Sequence, residues 1–262
     1  MLKLFGKSIG MRCMKNCVNI TWRNGFGNQL FQYAYSRLHA KKHDLELTHF
    51  MLGKDCAASL IDYDFISEST DIKKYDTKIH NMVMNIDYQG DIVFDYLENH
   101  LTYKNHIDEI KSWFPKTKKT NYKDLVVHIR RGDNGDNINT PFEWYQKVIE
   151  LENINFDKIY IVTDTPDDIC VSKFKEIYDS EIYSTESIHT WQDRKHNLKC
   201  TIDDFNFIRS FDKILFSNST FSWWASFLSD ASEIYFNKKW QPHHAGGRVK
   251  LGLTDYPNWI GV

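Results

Sequence analysis

The sequence carries His128-Ile129-Arg130-Arg131-Gly132-Asp133 at the end of the apolar run LVV (125–127). Side chains alternate along a strand, so His128 and Arg130 share one face and Arg131 takes the other. A guanidinium is a planar fork of N–H donors, suited to bidentate contact with a phosphate. Asp133, after a glycine, can hold one guanidinium in place; the plainer reading is an Arg–Asp pair at a surface turn. A second group follows the apolar run KILF: Ser217-Asn218-Ser219-Thr220-Phe221-Ser222, leading into Trp223 and Trp224. Such a turn caps a helix, and the free amides of the helix start face an anion. Thr163-Asp164-Thr165 follows KIYIV and puts a carboxylate where it can accept from a ribose hydroxyl or a base, or cap the next helix. Near the start, Asn24-Gly25-Phe26-Gly27-Asn28-Gln29 is a glycine turn ahead of a helix. It has neither the Gly-Lys-Ser/Thr of a P-loop nor GxGxxG spacing. Guanidinium, hydroxyl and helix-terminal amide groups of this kind can together surround a diphosphate.

These groups need elements to position them. CVNITW (17–22) alternates and is β-branched, a strand; the glycine turn follows, then QLFQYAYSRLHAKK (29–42) puts Leu30, Tyr33, Ala34, Arg37 and Leu38 at helical spacing. Residues 45–120 show short apolar runs such as DIVFDYL (91–97) and a helix at 106–114. The polar, basic stretch PKTKKTNYK (115–123) is the expected domain boundary. Beyond it the pattern becomes regular: strands at 125–130, 158–163, 213–218 and 232–236, with a short one at EIYST, and helices at 141–152, 166–178, 201–211 and 220–230. Strand–helix alternation of these lengths predicts a parallel sheet with helices on both faces, a Rossmann-like domain. Ligands of such sheets lie outside the carboxyl ends of the strands, where three of the four groups fall. Trp223, Trp224, Phe227 and Leu228 read as helix core.

The chain has 262 residues and a formal net charge of −2, which argues against nonspecific binding to nucleic acid or anionic membranes. Cys13, Cys17, Cys56, Cys170 and Cys200 are odd in number and scattered, as expected of free thiols in a reducing compartment. No apolar run reaches the length of a membrane span, and the first 16 residues read as an unstructured leader, so the expectation is a soluble, cytoplasmic protein. The sole Asp-x-Asp, Asp62-Tyr63-Asp64, lies outside the regular α/β region and reads as loop, not as a metal site. His39 and His43 lack a third ligand.

GFGNQLFQYA (25–34), HIRRGD (128–133), VTDT (162–165) and SNSTFSWWAS (217–226) resemble, in order, the motif series of the α-1,2-fucosyltransferases of glycosyltransferase family 11. HxRRxD and FGNQ are also similar to elements of the α-1,6- and protein O-fucosyltransferases. The resemblance implies a GT-B-like α/β fold, with two Rossmann-like domains facing a cleft. The N-terminal, acceptor-side domain would cover 17–118, with the tail 240–262 expected to pack back and complete it, and the donor domain 119–239. It implies an inverting transfer of fucose from GDP-fucose to a glycan hydroxyl, the 2-OH of a galactose-type residue, with no metal or other cofactor. Arg130 would contact the β-phosphate and Asn28 would lie at the cleft from the N-terminal side, the two catalytic positions. His128, Arg131 and Asp133 would build the rest of the nucleotide site, Ser217, Asn218, Ser219, Thr220 and Ser222 would add phosphate contacts, Asp164 would sit near the guanosine, and Gly27 would line the donor from the glycine turn. The alternatives are another GDP-deoxyhexose or nucleotide sugar as donor, or a protein that binds nucleotide or carbohydrate without catalysis. The oligomeric state and the general base are not legible. Two positions depart from the family pattern: Asn24-Gly25 stands for Gly-Gly, and Asn134 for the frequent tyrosine.

Overall fold

The computed structural model describes residues 14–53, 56, 58–68, 70–86, 106–131, 139–183, 198–238 and 256–262. Two parallel sheets carry the chain. The first has the order β3-β2-β1-β4, built from β1 (Lys15–Trp22), β2 (Glu46–Leu52), β3 (Lys73–Lys74) and β4 (His80–Ile86). The second has the order β10-β9-β8-β5-β6-β7: β5 (Asn121–Ile129), β6 (Ile159–Thr163), β7 (Ser180–Ile182), β8 (Phe211–Phe216), β9 (Glu233–Phe236) and β10 (Trp259–Gly261). The helices are α1 (Phe26–Lys42), α2 (Ile107–Ser112), α3 (Phe142–Leu151), α4 (Ile169–Ile177), α5 (Leu198–Arg209) and α6 (Thr220–Phe227).

The second sheet is covered on both faces, which is why Leu125, Val126, Val127, His128 and Ile129 are all buried without a polar alternation. Leu125, Val127 and Ile129 pack with Ile159, Ile161, Tyr145 and Phe174 under α3 and α4. Val126, Ile214, Phe216 and Ile234 face α5 and α6, and that core continues into α1 and the first sheet. Phe26 joins the two halves: its ring lies 4.9 Å from Tyr63, 5.1 Å from Phe65 and 5.0 Å from Phe205, all edge-on. Edge-to-face pairs of this kind each add about 0.5–1.5 kcal/mol beyond their buried area. Trp223 and Trp224 are fully buried, as read, and Phe31 stacks near both.

Several boundaries move. β1 begins two residues earlier than expected, α1 three residues earlier and β5 four. The first sheet's β2, β3 and β4 fall in the stretch that gave no strand pattern. The 115–120 linker is irregular, and β5 begins at Asn121. The tail was expected to complete the N-terminal domain. Its described end instead pairs Trp259, Ile260 and Gly261 with Ile234, Tyr235 and Phe236 as the edge strand of the six-stranded sheet. The reason is aromatic: Trp259 lies against Phe216, Trp223 and Phe236. DIVFDYL (91–97) lies outside the described residues. No helix among the described residues is long and apolar enough to cross a membrane.

Candidate active site

β5 is followed in the chain by β6 and β7 on one side, whereas β8 and β9 lie on the other. The strand order therefore reverses between β5 and β8, the crevice where open parallel sheets bind ligands. Arg130 and Arg131 leave the carboxyl end of β5 at this point, and Ser217 leaves β8 beside them. The Ser217 amide donates to the His128 carbonyl at 3.3 Å, and the Arg130 amide donates to Ser217 Oγ at 3.1 Å. The two strand ends are thus stitched together below the crevice.

The arginines diverge as the alternation requires. Arg130 Nη1 donates to Asp164 Oδ2, while Arg131's backbone amide donates to Asp164 Oδ1 at 3.0 Å. The register explains this: Ile129 pairs with Thr163, so the next residues on each strand meet at the sheet edge. Asp164, only 9% exposed, is thereby engaged as the anchor of the arginine pair. Sequence reading had reserved it for the nucleoside and had Asp133 holding a guanidinium; Asp133 lies outside the described residues. Arg131 turns to the α3–α4 side, where its Nε lies 3.3 Å from Asp168 Oδ1. Asp168 is also the N-cap of α4, accepting from the Cys170 amide at 2.8 Å. That role was missed, although an acidic TPDD helix start was visible.

His128 points to the other face, 5.7 Å from the Phe221 ring. Burial lowers its pKa to about 4; the Arg130 charge works in the same direction and Asp164 partly opposes both. The imidazole is neutral at pH 7, and its Nδ1 is buried without a hydrogen-bond partner. Among the described residues, other buried polar atoms on the segments around this sheet end lack a well-formed hydrogen bond: Asn139 Oδ1, Thr140 Oγ1, Tyr145 Oη and Thr165 Oγ1. Buried polar groups are normally paired, so such a cluster marks a place where a polar ligand or water completes the bonding.

The N-terminal half meets this edge through the glycine turn. Asn24 has φ 62°, the left-handed region. Asn tolerates that region better than most residues, so the turn survives where the family pattern has glycine. Gly27 packs directly on α6: a Cβ there would lie 2.4 Å from Phe221 N. Thr220 Oγ1 donates to Asn28 Oδ1 at 2.7 Å, so Asn28 reaches the turn that opens α6. Neither α1 nor α6 has a side-chain cap: their N-caps, Gly25 and Ser219, make no such bond. Two helix N-termini with positive dipole ends therefore meet beside the arginines. Gln29 is spent on the turn itself, donating to Asn24 O at 3.1 Å and Ala58 O at 2.7 Å. Ser222 is fully buried and its hydroxyl bonds back to Ser219 O at 3.3 Å. It supports the turn and presents no free hydroxyl to a phosphate, unlike the contact expected of it. Asp62 accepts from the Ser59 amide at 2.6 Å and the Ser59 hydroxyl at 2.8 Å, as a loop residue.

Comparison with known proteins adds the family. The structure is similar to NodZ α-1,6-fucosyltransferase soaked with GDP-fucose, with TM-score 0.50 and 12% identity over 84% of this chain and 94% of that one. Arabidopsis thaliana FUT1 in complex with GDP, solved as a mutant, gives TM-score 0.48 and 12% identity over 85% of this chain and 70% of that one. At such identity the NodZ likeness establishes the fold, the GT-B-like pairing of two parallel α/β halves. No curated protein sequence matches significantly. Residues 60–262, well over half of the sequence, match the family described as glycosyl transferase family 11. The arginine-bearing strand end, the helix turn opposite it and the sheet that carries both lie inside that matched span, and the chain belongs to glycosyl transferase family 11.

Proposed function

We propose that the chain transfers fucose from GDP-fucose to the 2-OH of a galactose-type residue in a glycan, with inversion and without a metal ion. The observation that supports this best is the placement of Arg130 and Arg131 at the β5–β8 switch point, beside the uncapped N-terminus of α6. Family membership supports the reaction class. The donor is carried over from the GDP-fucose in the NodZ crystal.

Breaking the bond between the anomeric carbon and the diphosphate leaves negative charge on the departing oxygen and positive charge on the sugar. Stabilising that oxygen is the main electrostatic task. The Arg130 guanidinium, held in orientation by Asp164, offers fixed charge and N–H donors. The α6 amides add dipoles that need no reorganisation. The acceptor hydroxyl attacks the face opposite the leaving group, which inverts the centre, and gives up its proton as the new bond forms. Neutral His128 adds no positive charge at pH 7.

The test is nucleoside diphosphate release, GDP from GDP-fucose or GDP-mannose and UDP from UDP-glucose, with and without EDTA, in the presence of a galactose-terminated acceptor. GDP-fucose alone should react, EDTA should change nothing, and NMR of the product should show a 1→2 linkage. Arg130→Ala should lower turnover by about 10²–10³-fold, the loss expected for one preorganised donor. Turnover with UDP-glucose, or near-normal turnover in Arg130→Ala, refutes the assignment. A 1→6 product refutes the linkage alone.

A further inference from the structure

Tyr145 lies on α3 and is fully buried. An aromatic at helical spacing reads as core, and its ring does pack on Phe174 at 5.7 Å and Trp144 at 5.1 Å. The hydroxyl is different. It is buried without a partner in full hydrogen-bonding geometry, and it faces the hydroxyls of Ser217 and Thr140 and the charge of Arg131. Burial keeps the phenol protonated, so it can both donate and accept. A phenylalanine would fill the same space without burying an unsatisfied hydroxyl.

The neighbours give that hydroxyl its meaning. Ser217 Oγ already accepts from the Arg130 amide at 3.1 Å, which leaves the Ser217 hydrogen free to turn toward Tyr145. Arg131 occupies the same side of the sheet, tied to Asp168. One phenol on α3 thus faces Ser217 at the end of β8 and feels the charge of Arg131 at the end of β5, the two strands that flank the crevice.

We propose that Tyr145 is a positioning residue of the donor site. Its hydroxyl bridges Ser217 and Arg131 when a nucleoside diphosphate is bound, and so fixes the spacing between the arginine pair and the turn that opens α6. This rests on reading that site as the seat of a nucleoside diphosphate.

The test compares wild type, Tyr145→Phe, Ser217→Ala and the double variant. Thermal unfolding is measured without nucleotide, GDP affinity by calorimetry, and donor and acceptor kinetics with GDP-fucose. Tyr145→Phe should unfold at the wild-type temperature or slightly above it. Its GDP Kd should rise about tenfold, or roughly 1.4 kcal/mol, and acceptor KM should stay unchanged. In the Ser217→Ala background the same substitution should cost little more, because the hydroxyl acts through Ser217 and the two effects are coupled. Full additivity, an unchanged GDP Kd, or a fall in unfolding temperature as large as the fall in affinity overturns the proposal and leaves Tyr145 a core residue. If wild type binds no GDP at all, the functional reading fails first, a result distinct from wild type and Tyr145→Phe binding equally well.

Discussion

Gly27→Ala tests the junction between the two halves of the molecule. The added methyl would lie 2.4 Å from Phe221 N and from Thr220 C, and 2.7 Å from Thr220 O. All three are backbone atoms, so no side chain can swing away. Contact at the usual ~3.5 Å requires α1 and α6 to part by roughly 1 Å. The Thr220–Asn28 hydrogen bond, now 2.7 Å, would then stretch past the hydrogen-bonding range of about 3.2 Å. Overpacking of this kind costs about 1–3 kcal/mol, and the lost bond adds about 1 kcal/mol. The sum, about 2–4 kcal/mol, lowers the unfolding temperature by roughly 5–15 °C for a chain of this size.

Function should divide along the same seam. The arginines sit on β5 and do not move with α1, so GDP affinity should fall only a few-fold. On the proposed function, transfer depends on Asn28 held against the α6 turn, and a displacement of about 1 Å can cost on the order of 10² in rate. Differential scanning fluorimetry, GDP calorimetry and GDP-release kinetics on one preparation read all three quantities. A Gly27→Ala variant with wild-type unfolding temperature and turnover would refute the close approach of α1 to α6. A loss of GDP affinity equal to the loss of turnover would refute the division of labour between the halves.

Two further substitutions probe the supports of the site. His128 has a folded pKa near 4 against 6.5 in the unfolded chain, so between those values the unfolded chain binds the extra proton. Its contribution to stability is fully present above pH 6.5 and is lost as pH falls toward 4, at about 1.4 kcal/mol per unit. Unfolding temperature plotted against pH should therefore slope in that window for wild type and be flatter for His128→Asn; parallel curves would refute the buried neutral imidazole. Arg209, 2% exposed, donates to Pro115 O at 2.5 Å, Leu228 O at 3.4 Å and Asn206 Oδ1 at 3.1 Å. Arg209→Leu should cost about 1–3 kcal/mol by leaving the buried Leu228 carbonyl without its donor, with GDP affinity of the folded fraction unchanged in urea-melt and calorimetry measurements. Weakened GDP binding at full occupancy of the fold would instead connect this latch to the site.

The half built on the six-stranded sheet was legible because both of its faces are covered. Leu125 through Ile129 and the apolar residues 214–216 form unbroken buried runs, and turns rich in Asp, Ser or Pro separate them from amphipathic helices. The first sheet was legible only in β1. In β4 exposure alternates, but residue type does not follow it: Val83 is exposed while His80 is buried, and β3 is only two residues long, so the residue pattern does not mark these strands. β10 was hidden for a related reason: three residues pair only because Trp259 finds an aromatic pocket made by residues far away in sequence.

At the site, residue type placed Arg130, Arg131 and the Ser217 turn at strand ends whatever the topology, whereas Asn28 was singled out only through the family resemblance. Partnership was not. Asp164 looked free for a ribose because nothing local binds it. Its role as the arginine anchor follows only once β5 and β6 are neighbours, with Ile129 opposite Thr163. The same holds for Asp168 and Arg131, which need α4 to start beside β5. Tyr145 shows where reading by spacing stops. Its position on α3 demands a large buried ring and is silent about the hydroxyl, whose surroundings come from β5, β8 and the turn before α3. Sequence therefore locates chemistry that stands at the ends of elements. It loses the groups that reach the site from beneath, because their partners are chosen by strand order.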